Sequence, residues 1–160
     1  NNPLWDYSLA HYAREGVAEA CLTLQDDCDL DVNLLLYGAW LASMDQRLNA
    51  EHLAGLERGV AQWRQEVVQP LRQLRRQWRD YEPARELRQQ LAELELHAER
   101  RQQDQMLAYY RTAPALAVTN AQVRDNLMLV ADAAVPMRQA QSRVSHNWRA
   151  FWGLDPGGGI

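Results

Sequence analysis

The chain contains no lysine: all 17 of its basic residues are arginine. That absence excludes Schiff-base chemistry and the lysine of a phosphate-binding P-loop. Cysteine is scarce, two in 160 residues, and a chain of this length buries an adequate core without disulfide or metal staples. No apolar run reaches the roughly 20 residues of a membrane span, and no charged start leads into a hydrophobic stretch with a small-residue cleavage site. There is no alternating Val/Ile/Thr run, no Asn-Gly hairpin turn and no repeat of fixed period. The expectation is a cytoplasmic protein of all-α class, with one helical domain over residues 1–152 and a flexible Gly-rich tail over 153–160.

What is present is helical periodicity. Asn2-Pro3 reads as an N-cap followed by proline at the first helical position. Trp5, Leu9 and Tyr12 then share one face. Val17, Cys21, Leu24 and Cys28 form the stripe of a second short helix. The run Val32 to Leu41 is apolar nearly all round, which predicts a central helix with Asp31 as its cap. Asn49 caps the next helix, braced by a staple between Leu48 and Leu53.

Leu53, Leu56, Val60, Trp63 and Val67 alternate spacings of three and four, and the stripe resumes beyond Pro70 at Leu71, Leu74, Trp78 and Tyr81. This predicts one long helix, kinked at Pro70, with a one-residue slip in its stripe. Glu82-Pro83 turns the chain into a second long helix with Leu87, Leu91, Leu94 and Ala98 on its apolar side. The polar stretch Glu99 to Gln105 is expected to project beyond the core. Thr119 with Gln122 reads as a capping box before a helix bearing Val123, Leu127, Val130 and Ala134. A final helix carries Val144, Trp148, Phe151 and Trp152. The architecture expected is a single-domain bundle of about six or seven helices, built around Val32 to Met44 and a Pro-kinked antiparallel hairpin from Ala50 to Tyr110.

Charge is segregated. Residues 1–57 carry −8, residues 58–88 carry +4, and the remainder balances, for a net −4. Net acidity argues against a nucleic-acid partner.

Metal chemistry finds little support. Cys21 and Cys28, with His11 near by, lie seven residues apart on one helix, which puts the sulfurs roughly 10 Å from each other, too far to share zinc. The acidic run Asp26 to Asp31 has Val32 and Gly38 where a calcium loop needs Gly and Glu. It lacks the second, paired cluster with which all-helical isoprenoid synthases hold magnesium diphosphate. Glu93, Glu95, His97 and Glu99 lack the Glu-x-x-His spacing of di-iron bundles and read as a solvated face. No serine has a Gly-x-Ser-x-Gly context. No catalytic residue, metal or cofactor is assigned.

Arg72, Arg75, Arg76 and Arg79 recur at i, i+3, i+4 and i+7 beside Trp78, a pattern suited to recognising a phosphate, a carboxylate or an acidic protein. Pairing with the acidic head, or with Glu86 and Glu93 on the next helix, is the ordinary alternative. The leading expectation is a non-enzymatic binding or adaptor protein using these four arginines. The second is a small-molecule binder or enzyme with a pocket lined by Tyr7, Tyr12, Asn33, Tyr37 and Trp40, because a buried Asn33 amide needs a partner. Homo-oligomerisation through the hairpin is the third.

The strings Pro3-Leu4-Trp5-Asp6-Tyr7-Ser8-Leu9, Gly16-Val17-Ala18-Glu19-Ala20-Cys21-Leu22 and Asp31-Val32-Asn33-Leu34-Leu35-Leu36 together resemble a family of short proteobacterial proteins of unknown function, common in pseudomonads. Trp63 to Val68 and Glu95 to Met106 are weaker echoes of it. The resemblance implies a bacterial cytoplasmic protein. It implies no activity and no site residue.

Overall fold

The computed structural model describes residues 1–27, 30–120 and 122–134. Among them the elements are α1 (Pro3–Tyr12), α2 (Val17–Asp27), α3 (Val32–Ser43), α4 (Ala50–Trp63), a π-helical turn (Arg64–Val68), α5 (Gln69–Gln77), a 3-10 turn (Glu82–Ala84), α6 (Arg85–Thr112) and α7 (Val123–Ala134). The protein is all-α. The only strand-like pairing among the described residues is an isolated bridge between Gln46 and Val118. No helix among them is long and apolar enough to cross a membrane. Cys28, Pro136, the aromatic segment from Val144 to Trp152 and the glycine tail lie outside the described residues. The described residues form two compact units, one holding Pro3–Ala50 with residues 115–134, the other Glu51–Pro114.

In the first unit α3 is the core element, buried at every position from Val32 to Ala42. An apolar surface on all sides of a helix must be covered on all sides, which α1, α2 and α7 help to do. Asp31 caps it as expected, its carboxylate accepting the Asn33 backbone N–H at 2.9 Å. In α1 the buried face is Leu4, Trp5, Ser8 and His11, and Leu9 is exposed, a quarter-turn away from the face the aromatic spacing suggested. Ser8 can be buried because its hydroxyl donates to the Leu4 carbonyl at 2.8 Å, leaving no unmet polar group.

Helix α7 lies against α3 at Gly38, where a Cβ would stand 3.4 Å from Asn126 Cβ. The missing side chain lets Asn126 reach the α3 backbone. Its amide nitrogen donates to the carbonyls of Gly38 and Gln46, at 3.0 and 2.9 Å, and its oxygen accepts the Leu48 N–H at 2.8 Å. Thr119 does not cap α7, which begins at Val123. Its N–H is spent on the Asp45 carbonyl instead, and Asn120 takes a left-handed conformation between them.

The second unit is the antiparallel hairpin of α4, the π turn and α5 against α6. Its polar stretch does not project as expected: Gln102 and Gln103 are 1% and 0% exposed. Glutamine is long enough to bury its methylenes while its amide is hydrogen-bonded, so a polar string does not imply a solvated one.

Candidate functional site

Pro70 lacks an N–H, and within an α-helix its ring presses on the carbonyl four residues back. The chain meets this with the π turn, in which the Gln69 N–H bonds the Arg64 carbonyl five residues earlier, and α5 then starts with Pro70 in its first turn. A π turn holds one residue more than an α turn, so every side chain beyond it is rotated by about 100° from the α-helical register. The burial pattern records the rotation. Leu53, Leu56 and Val60 are buried before the turn, and Val68 is buried in it, while Leu74 is 38% exposed.

Arginines take the inward positions that the expected stripe gave to leucines. Glu95, only 5% exposed, lies opposite them on α6. Arg72 donates to Glu95 at 3.2 Å and to Glu99 at 3.0 Å, and Arg75 binds the Glu95 carboxylate through its Nε and, at 3.3 Å, through Nη2. Glu95 therefore belongs to the hairpin seam and not to a solvated face, because two guanidinium groups replace the water its charge requires. The intramolecular partners are Glu95 and Glu99, not Glu86 and Glu93. Three further bonds close the hairpin. The Trp63 indole N–H donates to the Ala98 carbonyl at 2.9 Å, and Arg88 donates to the Trp78 and Arg79 carbonyls, both at 2.6 Å, covering the open end of α5.

With arginines inside, the apolar stripe of α5 moves outward. In an antiparallel pair, the residue just before each facing position emerges on the same side of both helices. Arg75 faces Glu95, so Leu74 and Leu94 share a flank, and periodicity adds Leu71, Trp78 and Leu87 to it. Leu87 and Leu94 are 55% and 54% exposed, Leu71 and Trp78 half-buried, and Tyr81 stands exposed in the turn at the hairpin tip. Arg76 follows Arg75 and so points to the opposite flank. Arg76 and Arg79 also take part in interactions within the chain. Of the four arginines, Arg72 and Arg75 are thus joined in one buried cluster around Glu95.

The other candidates lie in the first unit. Tyr37 and Trp40 are buried with ring centroids 5.8 Å apart, and Asn33 is buried on the same helix. Tyr7 stacks on His11 at 5.9 Å, and burial raises its phenol pKa, with Arg14 pulling it the other way. Tyr12 is half-buried. Among the described residues no three His, Cys, Asp or Glu side chains converge as a metal site requires.

The exposed leucines were missed because they sit on the stripe that periodicity assigns to the core. The available signal was the spacing of four between Val67 and Leu71, where a continuous seam needs a single register, immediately before Pro70.

Comparison with curated proteins and with solved structures finds no match. A family model described as a protein of unknown function, DUF2390, matches residues 3–106, from the start of α1 into the second half of α6. With more than half of its length matched, the chain belongs to the DUF2390 family.

Proposed function

We propose that this is a non-enzymatic protein-binding, adaptor-like helical protein, and that the apolar flank of its hairpin is the binding face. The observation that carries the proposal is the exposure of Leu74, Leu87 and Leu94 on one flank of the hairpin, Leu74 turned outward beyond the π turn and Leu87 and Leu94 exposed beside it on α6. Exposed leucines in register on two adjacent helices form a groove for an apolar partner surface, whereas leucines scattered singly need no explanation. The ion cluster bears on the same reading: Arg72 and Arg75 act as internal struts of the hairpin, so the apolar flank and not the arginine row is the proposed contact. In the first unit Tyr37 and Trp40 pack ring against ring as core residues, which favours a binding face over a ligand pocket there. A bacterial cytoplasmic setting belongs to the same proposal, as the family resemblance implies.

The test is affinity capture with carboxyl-reactive crosslinking, because the chain offers no lysine. The wild-type protein is compared with a Leu74→Ser/Leu94→Ser variant. A stoichiometric partner crosslinked to α5 or α6, and lost with the variant while helical circular dichroism is unchanged, is the expected result. Capture that ignores the substitution, or crosslinks confined to the first unit, overturns the assignment.

A further inference from the structure

Resting on the binding face just described, we infer the chemistry of its occupant: a short amphipathic helix of another protein, with apolar anchors at i, i+3 or i+4 and i+7, and basic residues along one edge. The size of the strip argues for one helix. From Leu87 to Leu94 is about 10 Å of helix, and adjacent axes stand about 8–10 Å apart, so the strip covers on the order of 100 Å². That is far below the roughly 800 Å² per partner of a stable dimer, and it suits two to three turns of a docked helix.

The edges of the strip decide the charge. Glu86 and Glu93 directly precede Leu87 and Leu94, so they line its outer border along α6. Both are exposed, and neither holds an ion pair among the described residues. Along α5 the equivalent border positions are Gln73 and Gln77, which are exposed and uncharged. One border is therefore acidic and the other neutral. An occupant with arginine or lysine on a single edge satisfies Glu86 and Glu93 in one orientation only, so the same two carboxylates set both preference and direction.

The experiment titrates the full chain against two fluorescent synthetic helices of about 14 residues, identical in their leucine anchors and differing only in an arginine or a glutamate edge. Exposed ion pairs of this kind predict an affinity about three- to tenfold higher for the arginine-edged helix. Glu86→Gln/Glu93→Gln should erase that difference while leaving leucine-dependent binding in place. Equal affinity for the two helices, or preference for the glutamate edge, overturns the inference while leaving the binding face standing. Loss of neither helix on Leu87→Ser/Leu94→Ser overturns the binding face itself. Sedimentation velocity of the protein alone supplies the remaining outcome: a dimer abolished by Leu94→Ser assigns the strip to a second copy of the chain and rejects the foreign helix.

Discussion

The Arg75 guanidinium closes on the Glu95 carboxylate inside the hairpin, and Arg72 shares that carboxylate from one turn earlier while holding Glu99. Burial makes the arrangement interdependent. Removing the carboxylate leaves two guanidinium groups facing each other away from water, so Glu95→Ala should destabilise the protein by about 3–5 kcal/mol. Replacing the whole cluster by Arg72→Met/Arg75→Met/Glu95→Leu/Glu99→Gln should recover most of that loss, because none of its charges then remains buried. Urea melts of the two variants check both expectations. A loss below about 1 kcal/mol for Glu95→Ala means that the cluster is solvated in solution.

Asn126 should be nearly irreplaceable. Its side chain satisfies the Leu48 N–H and supplements two carbonyls, and it is fully buried. Asn126→Ala leaves that N–H without its acceptor and should cost about 2–3 kcal/mol. Asn126→Asp keeps the acceptor but turns a second oxygen toward the Gly38 and Gln46 carbonyls, and should cost at least as much above pH 5. Thermal melts at pH 7 rank the two variants.

A glycine in mid-helix costs about 1 kcal/mol relative to alanine, yet Gly55→Ala should be unfavourable here. A Cβ at Gly55 would collide with the Tyr109 hydroxyl and stand 2.7 Å from Cζ. The expected loss is about 1–2 kcal/mol. In a Tyr109→Ala background the same change should become stabilising by about 0.5–1 kcal/mol, since the obstacle is gone and only helix propensity remains. A double-mutant cycle measured in denaturant gives the sign directly.

His52 sets a pH dependence. Its imidazole lies edge-on to the Tyr109 ring at 5.0 Å, and burial lowers its pKa from 6.5. The unfolded chain therefore binds this proton more readily than the folded one. Stability is fully present above pH 6.5 and falls as the pH drops through the lowered folded value. His52→Gln should flatten the part of the stability profile just below pH 6.5 relative to wild type, and melts across that window read it. An unchanged slope removes His52 as its cause.

Much of the helical layout was legible in the chain. Asp31 before an all-apolar run, and Leu53, Leu56 and Val60 at spacings of three and four, specify helix and buried face together, because each residue's environment follows from its neighbours at i±3 and i±4. The same rule failed beyond Pro70. Proline announces a break but does not say whether the chain bends or widens, and the two outcomes point Leu74 and Arg75 to opposite surroundings. Thr119 misled in a similar way: a capping box is a local option, and a carbonyl more than seventy residues away competed for its N–H and won.

The sequence by itself determined that the chain is helical, that α3 is enclosed, and that Pro70 interrupts a long hairpin; periodicity and capping are local, and they need no knowledge of what lies across the core. Only the tertiary structure decided which side of α5 is inside. That choice turns on a long-range balance: a carboxylate on α6 that can be buried only with guanidinium partners, and one extra residue in a helical turn that supplies them while releasing leucines to the surface.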